Sequence, residues 1–414
     1  MGLKCRNCGS PAEIEMVDLG MHPLCQDFLS EERVNTYEKF YPLHVFVCDT
    51  CWLAQLGEFA TPDEIFSEYA YFSSYSDSWL DHARRYAEKM TAELGLTGDS
   101  LVLELASNDG YLLRWFKDLG VRVLGVEPAA NVAEAARALG IETIVEFFDR
   151  DLAARMKADG VQADLIAANN VLAQVPDLHA FVGGIPEVLA PDGVVTFEFP
   201  HLVRLLDENQ FDTIYHEHFS YFSLQTAVDI FGRNGLEVFD VERLPTHGGS
   251  LRLYLHHADD TTRKVTDRVG EILQEELDYG LQDPDTYRAF GERAAKVKRD
   301  LLTVLIDIKE RGESVAAYGA AGKGNTLLNY CGIGRDFLDF VADRNPYKIG
   351  KYTPGTHIPV LDPKEIAERR PQHILILPWN LKAEIMSQLS YVSEWGADFI
   401  VPIPTVEVVP AVAS

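Results

Sequence analysis

The sequence predicts an α/β chain in three parts: a small cysteine-anchored unit, a central doubly wound domain and a second α/β unit at the C-terminus. Three observations predict it. Two Cys-x-x-Cys pairs lie within the first 51 residues. Apolar strand runs alternate with helical segments from Ser100 to about His257. The same alternation returns after Gly312, opened by a glycine-rich loop. Strands alternating with helices imply a mostly parallel sheet with right-handed crossovers.

The chain has 414 residues, too many for one ordinary domain, and boundaries are expected at residues 1–75, 76–257 and 258–414. A hydrophobic fraction of 47% without low-complexity tracts points to packed globular structure throughout. No apolar run approaches a membrane span, and the start, MGLKCRNCGSP, lacks a signal-peptide core, so a cytoplasmic protein is expected. The formal net charge of −27 argues against nucleic-acid backbone binding as the main business. Oligomeric state stays open; a monomer is admissible.

In the first part, Cys5 and Cys8 pair with Cys48 and Cys51. In a reducing compartment, doubled Cys-x-x-Cys units read as zinc ligands, and four thiolates close a tetrahedral, structural site. Cys25 and Cys331 read as buried thiols. A strand is expected at His44–Val47. A helix is expected over 77–95, where Trp79, Ala83, Tyr86, Ala87 and Met90 recur at helical spacing.

The central part carries strands at 101–105, 121–126, 164–169 and 194–199, a helix over 129–139, and a terminal pair, LEVFDVERL and LRLYLHH, with hairpin character. The first strand runs into LELASNDGYLL, where a doubly wound sheet binds nucleotides. A dinucleotide enzyme would carry GxGxxG here. Only Gly110 remains, and Glu104 and Asp109 make the loop acidic. That loop suits a cationic, phosphate-free ligand such as S-adenosylmethionine. Candidate contacts are Glu104, Ala106, Asn108, Asp109 and Gly110. Glu127, placed for a ribose diol, and Pro128 end the second strand. Asn169 and Asn170 end the next parallel strand, and either face the same crevice or form a turn. Phe147 and Phe148 either face adenine or pack in the core.

TIYHEHFSYFS (213–223) connects a sheet strand to a helix that Ser223 caps. Its histidines could be metal ligands, structural caps or a catalytic base; the cysteines already satisfy a zinc, and histidine changes charge near neutral pH. Residues 262–311 read as two helices with one apolar stripe from Phe290 to Ile308. Beyond them come a strand ending in AYG and strands near 336–341, 373–377 and 398–402.

With these residues in view, the chain resembles the bacterial sugar C-methyltransferases that act on nucleotide-linked 4-keto-deoxysugars. The matching segments are the paired cysteines, EYAYFSSYS, ELASNDGYLL, FDTIYHEHFSYFS, THGGSLR, GKGNTLLNYC and PGTHIPV. The resemblance implies a class I, Rossmann-like methyltransferase domain flanked by a zinc-binding domain and a C-terminal Rossmann-like domain. It implies methylation at C3 of a dTDP-linked 4-keto-deoxysugar through an enolate, in branched-sugar and antibiotic biosynthesis. By motif match it implies His218 as base, with Tyr215, Glu217 and Tyr69 assisting, and Tyr71, Ser73 and His247 as substrate contacts. Lys323, Asn325 and Thr326, with Lys348 or Lys351, would help hold the nucleotide diphosphate; the alternative is a fold used only for packing. The sequence departs from the pattern at Gln174, where relatives commonly have histidine, so an acid/base role there is in doubt. An O- or N-methyltransferase of the same fold, or a non-catalytic scaffold, are the rival readings.

Overall fold

The computed structural model describes residues 3–66 and 72–412. They form two compact units built from interleaved segments: residues 1–13, 48–202 and 217–282 in one, 14–47, 203–216 and 283–414 in the other. The three consecutive parts read from the sequence are thus threaded through two bodies.

The first unit is organised by a seven-stranded sheet in which β5 (Leu101–Leu105), β6 (Arg122–Val126), β7 (Thr143–Ile144), β8 (Ala163–Asn169) and β9 (Leu189–Pro200) run parallel. Every residue of β5 is buried, as a central strand covered by helices on both faces requires. The hairpin β11 (Leu236–Leu244) and β12 (Ser250–His257) closes one edge, with β12 antiparallel to β9. The order is β11-β12-β9-β8-β5-β6-β7, reversing direction of growth at β5. The crevice outside the ends of β5 and β8 is where such a sheet takes ligands.

Helix Asp77–Leu94 covers one face. Ser76 caps it by accepting the Trp79 N–H, and Gly95 ends it in the left-handed region. Its buried Ala83, Tyr86, Ala87 and Met90 pack with Val102, Phe116, Leu165 and Tyr254. The same unit holds β1 (Leu3–Lys4), antiparallel to the start of β2 (Pro11–His22), and β4 (Ala54–Leu56), antiparallel to β10 (Ser220–Tyr221). Strand β10 lies inside the stretch read as a plain connection. Two residues cannot show a strand period; only their pairing with β4 reveals it. Ser223 and Thr226 then form a capping box for helix Leu224–Gly232.

The second unit contains the rest of β2, β3 (Tyr41–Cys48) up to Val47, and a six-stranded sheet. Five of its strands are parallel: β13 (Val315–Tyr318), β14 (Val341–Ala342), β15 (Val360–Leu361), β16 (His373–Ile376) and β17 (Asp398–Val401). Antiparallel β18 (Glu407–Pro410) completes the edge. The order β15-β14-β13-β16-β17-β18 again puts the loop after the first strand at a switch point. The 27-residue helix Pro284–Glu310 buries the whole stripe from Phe290 to Ile308. The strand expected at 336–341 is only Val341–Ala342. The Gly334 carbonyl accepts the N–H groups of Phe337 and Leu338, so these two apolar residues are held in a turn.

Candidate active site

The loop after β5 turns back through three left-handed residues, Ala106 (φ 57°), Asn108 (φ 49°) and Gly110 (φ 77°). Gly110 is obligatory twice over: a Cβ there would meet Ile141 Cδ1 at 2.5 Å and Ala136 Cβ at 3.3 Å. Gly125 of the neighbouring strand makes room for Ser107, whose Oγ would lie 2.4 Å from an added Cβ.

Glu104, in β5, is 1% exposed, and neither of its oxygens has a well-formed hydrogen bond. Burial pushes its carboxyl well above the usual range. The Tyr111 hydroxyl pulls it back, while the Asp109 and Glu127 carboxylates push it further up. Asp109 Oδ1, Ser107 Oγ, Asn169 Oδ1 and Asn170 Oδ1 are likewise buried without a partner. Such orphaned acceptors are costly unless a ligand supplies donors.

Glu127 stands at the end of β6, as expected. Its Oε2 accepts the Asn108 N–H at 3.0 Å and its Oε1 the Ala129 N–H at 2.9 Å, so it also braces the loop. Burial raises it to about 6 against those two bonds. Pro128 is half-buried in the bend that follows. Ser73 and Ser74 donate backbone N–H groups to Asn108 Oδ1 (2.9 Å) and Asp109 Oδ2 (3.1 Å). Phe148 is buried edge-on to Phe181 at 5.6 Å, and Phe147 is exposed. Tyr69 and Tyr71 lie outside the described residues.

The next strand ends extend the edge. Asn169 Nδ2 reaches the Tyr111 hydroxyl at 3.4 Å, and Asn170 Nδ2 reaches His247 Nε2 at 3.3 Å. Trp79 stacks on Tyr111 at 5.9 Å and on His82 at 5.0 Å, and lies 5.2 Å from the His247 ring. Beneath them Glu198, fully buried, takes Arg252 Nη2 (2.6 Å), Thr246 Oγ1 (2.8 Å) and His82 Nε2 (2.9 Å). Burial alone would raise this carboxyl; His82, Arg252 and Thr246 outweigh it and hold it at about 2. Sequence reasoning read Trp79 as part of a helical stripe and missed His82, Glu198 and Arg252. Their partners lie 116 and 54 residues apart in sequence.

His218 and Glu217 belong to the first unit, Tyr215 and His216 to the second. The Phe219 N–H donates to the Ala173 carbonyl at 2.7 Å, which fastens the residue after His218 to the loop following Asn169 and Asn170. Gln174 is the next residue of that loop. His218 is half-buried and Glu217 is 4% exposed. His216 Nε2 donates to the Pro42 carbonyl at 3.2 Å, and burial lowers its pKa. Tyr215 lines a recess with His22, Cys25, Asn325, Thr326 and Asn329.

In the second unit's glycine loop, Lys323 Nζ donates to Asn380 Oδ1 at 2.8 Å and lies 5.1 Å from the Trp379 ring centroid. Burial lowers its pKa and the Asp212 carboxylate opposes that shift. Asn325 Nδ2 donates to the Cys25 carbonyl, Thr326 Oγ1 to that of Ile214 and Lys348 Nζ to that of Ala320. Asp343, which follows β14, accepts the Ala320 N–H at 2.6 Å. Lys323, Asn325, Thr326 and Lys348 therefore all have partners inside this unit.

The sulfurs of Cys5, Cys8, Cys48 and Cys51 lie within 4.8 Å of one another. Cys5 and Cys51 are 3.4 Å apart, Cys8 and Cys48 3.5 Å. A tetrahedron with Zn–S bonds of about 2.3 Å has edges of about 3.8 Å, so the set fits zinc. Among the described residues it is the one group of His, Cys, Asp and Glu that could hold a metal.

Three family models match the chain: "Putative zinc binding domain" over residues 5–66, "Methyltransferase domain" over 79–241 and "C-methyltransferase C-terminal domain" over 245–404. The C-methyltransferase NovU of Streptomyces niveus is 38% identical over 408 residues, covering 99% of this chain and 97% of that one. This chain belongs to the C-methyltransferase family. Among solved structures, the glycopeptide N-methyltransferase MtfA is 14% identical, covering 42% of this chain and 94% of its own, with a TM-score of 0.34. Magnesium protoporphyrin IX methyltransferase from Synechocystis PCC 6803 covers 43% of this chain and 81% of its own at 14% identity and a TM-score of 0.33.

For this C-methyltransferase the residues present fit S-adenosylmethionine. Five side chains with buried oxygens that lack a partner, two of them carboxylates, line one sheet edge and call for a cationic ligand rich in donors. No helix among the described residues is long and apolar enough to cross a membrane.

Proposed function

We propose that this C-methyltransferase methylates C3 of a dTDP-linked 4-keto-deoxysugar, with His218 as the base and S-adenosylmethionine as the donor. The observation that carries the reading is the bond from Phe219 N–H to the Ala173 carbonyl. It ties the base-bearing segment to the loop that leaves the edge of orphaned acceptors.

Bound S-adenosylmethionine supplies an electrophilic methyl group. Glu104 and Asp109 balance its positive charge in a buried setting where that balance is strong. Asn169 and Asn170 offer oxygens to its donors. The ketone at C4 acidifies the proton on C3. His218 Nδ1 or Nε2 takes that proton, and the electron pair passes into an enolate whose charge rests on the C4 oxygen. The C3 carbon of the enolate would take the methyl group as its carbon–sulfur bond breaks, the bonding pair staying on sulfur to leave S-adenosylhomocysteine. Glu217, buried and next in the chain, assists the base. Gln174 hydrogen-bonds but does not exchange protons at neutral pH, so one histidine serves as the base.

The test is His218→Gln with a dTDP-4-keto-deoxysugar. Methyl transfer is expected to vanish while adenosylhomocysteine binds in a calorimeter as to the wild type. Full activity would sink the assignment. Reducing the C4 ketone separates this reading from O- or N-methylation: the alcohol should be inert here.

A further inference from the structure

Arg6 and Asn7 are the two residues between Cys5 and Cys8, positions a metal knuckle needs only as spacer. Both reach out of the knuckle. Arg6 Nη1 donates to the Leu56 carbonyl at 2.5 Å and to the Phe219 carbonyl at 3.0 Å, with the guanidinium 5.4 Å from the Phe219 ring centroid. The Arg6 N–H donates to Gln55 Oε1 at 3.0 Å. The Phe219 carbonyl also accepts the Leu56 N–H at 2.9 Å, where β4 meets β10. With its own N–H on Ala173, Phe219 has every backbone polar group engaged.

Asn7 grips the flanks of the same segment. Its Nδ2 donates to Asp229 Oδ2 at 2.7 Å, on the helix that follows. Its carbonyl accepts His179 Nε2 at 2.8 Å, on the helix after the Ala173 loop. Asn234 Nδ2 donates to His179 Nδ1 at 2.9 Å, which sets His179 as the neutral tautomer protonated on Nε2. The first knuckle is thus bonded to the residue after His218, to the helix that follows it and to the helix beyond the loop beneath it.

We propose that the metal knuckle is a positioning device for the base, and that Arg6 is the positioning residue that fixes His218 through Phe219. The proposal rests on the reading of His218 given above. A half-buried guanidinium holding two carbonyls replaces water with a fixed, charge-assisted contact. It leaves the peptide after the base no freedom to drift. Misplacing a catalytic group by 1 Å costs on the order of 10²-fold in rate. Arg6 touches neither reactant, so its loss should fall on turnover and spare donor binding.

The experiment uses the full-length, zinc-loaded protein carrying Arg6→Met and Arg6→Ala, with His218→Gln in parallel. For Arg6→Met the expected result is stoichiometric zinc and unchanged adenosylhomocysteine affinity. Its kcat should fall by roughly 10²-fold with a smaller change in KM, and the Phe219 amide should exchange with deuterium faster. Added guanidinium ion should restore part of the turnover of Arg6→Ala. Wild-type kcat and unchanged exchange at Phe219 in a zinc-replete Arg6→Met would overturn the proposal. Should Arg6→Met lose its metal, rescue of Arg6→Ala by guanidinium decides: recovered turnover supports the clamp, none removes it. If His218→Gln keeps full activity, the base assignment fails, and the Phe219 exchange rate judges the clamp alone.

Discussion

The carbonyl of Phe219 accepts two donors at once, the Arg6 guanidinium at 3.0 Å and the Leu56 N–H at 2.9 Å. A carbonyl has two lone pairs, so this one is saturated. The residue beside His218 is therefore held by a contact spanning 213 positions. Zinc chelation should act through that contact. Prolonged dialysis against a strong chelator is expected to release stoichiometric metal and lower the melting temperature of the first unit, because structural zinc contributes folding free energy directly. Calorimetric scans with and without restored zinc measure it. An unchanged melting curve after complete metal loss would contradict a structural site.

Glu104 should trade stability against donor binding. Its carboxyl is raised in the folded state, so the folded protein holds the proton more tightly than the unfolded chain. The cofactor-free protein is then more stable below about pH 4.5, and loses that advantage as pH rises toward the folded value. Glu104→Gln cannot ionise. It should stabilise the cofactor-free protein at pH 8 by roughly 1–3 kcal/mol in urea melts, yet weaken S-adenosylmethionine binding at least ~10-fold.

Glu198 should behave in the opposite sense. Its carboxyl is held at about 2 when folded. The stability it contributes is present above the unfolded value of about 4.5 and is lost as pH falls toward 2. Glu198→Ala leaves Arg252, 3% exposed, without its closest anion. A loss of about 3–5 kcal/mol at pH 7 is expected in denaturant titrations. The loss should shrink below about pH 4, where the wild type itself weakens.

Lys323 and Asp212 define a third titration. Burial raises Asp212 to about 6, against the pull of Lys323 and of the Trp379 Nε1–H bond at 2.7 Å. Raised means that stability falls as pH climbs from about 4 to 6. Lys323→Met removes the largest force opposing that rise. It should cost about 3 kcal/mol at pH 8 and much less at pH 5, where Asp212 is already protonated. Equal losses at the two pH values would show that the two charges are not linked.

What was legible in the sequence follows from range. The run LVLEL is a strand in every residue because a central parallel strand is apolar on both faces. Ser223 reads as a cap because its partner, Thr226, is three residues away. Asp109 and Gly110 were legible as a loop, and Glu104 as the carboxylate of the strand before it, because their chemistry is contained in one short segment. His82 and Trp79 were not. The period of helix Asp77–Leu94 assigns Trp79 to a stripe and passes over His82, while their partners Glu198, Tyr111 and His247 come from other elements. Arg6 and Asn7 hid as spacers between cysteines. The apolar residues before Val341 look like a strand until the Gly334 carbonyl claims two of their N–H groups.

The interleaving of the two units bears on anyone who would cut or recombine this gene. Residues 14–47 leave the first unit and residues 48–202 re-enter it; residues 203–216 leave again and 217–282 return. Each body is complete only when three separate stretches of chain are present. A truncation at about residue 257 would keep the donor loop yet strip helix Asp267–Tyr279, whose Glu276 carboxylate takes His201 and the N–H groups of Leu224 and Gln225. Chimeras with relatives should therefore exchange all three stretches of a unit together, and a single crossover point will join halves that were never whole.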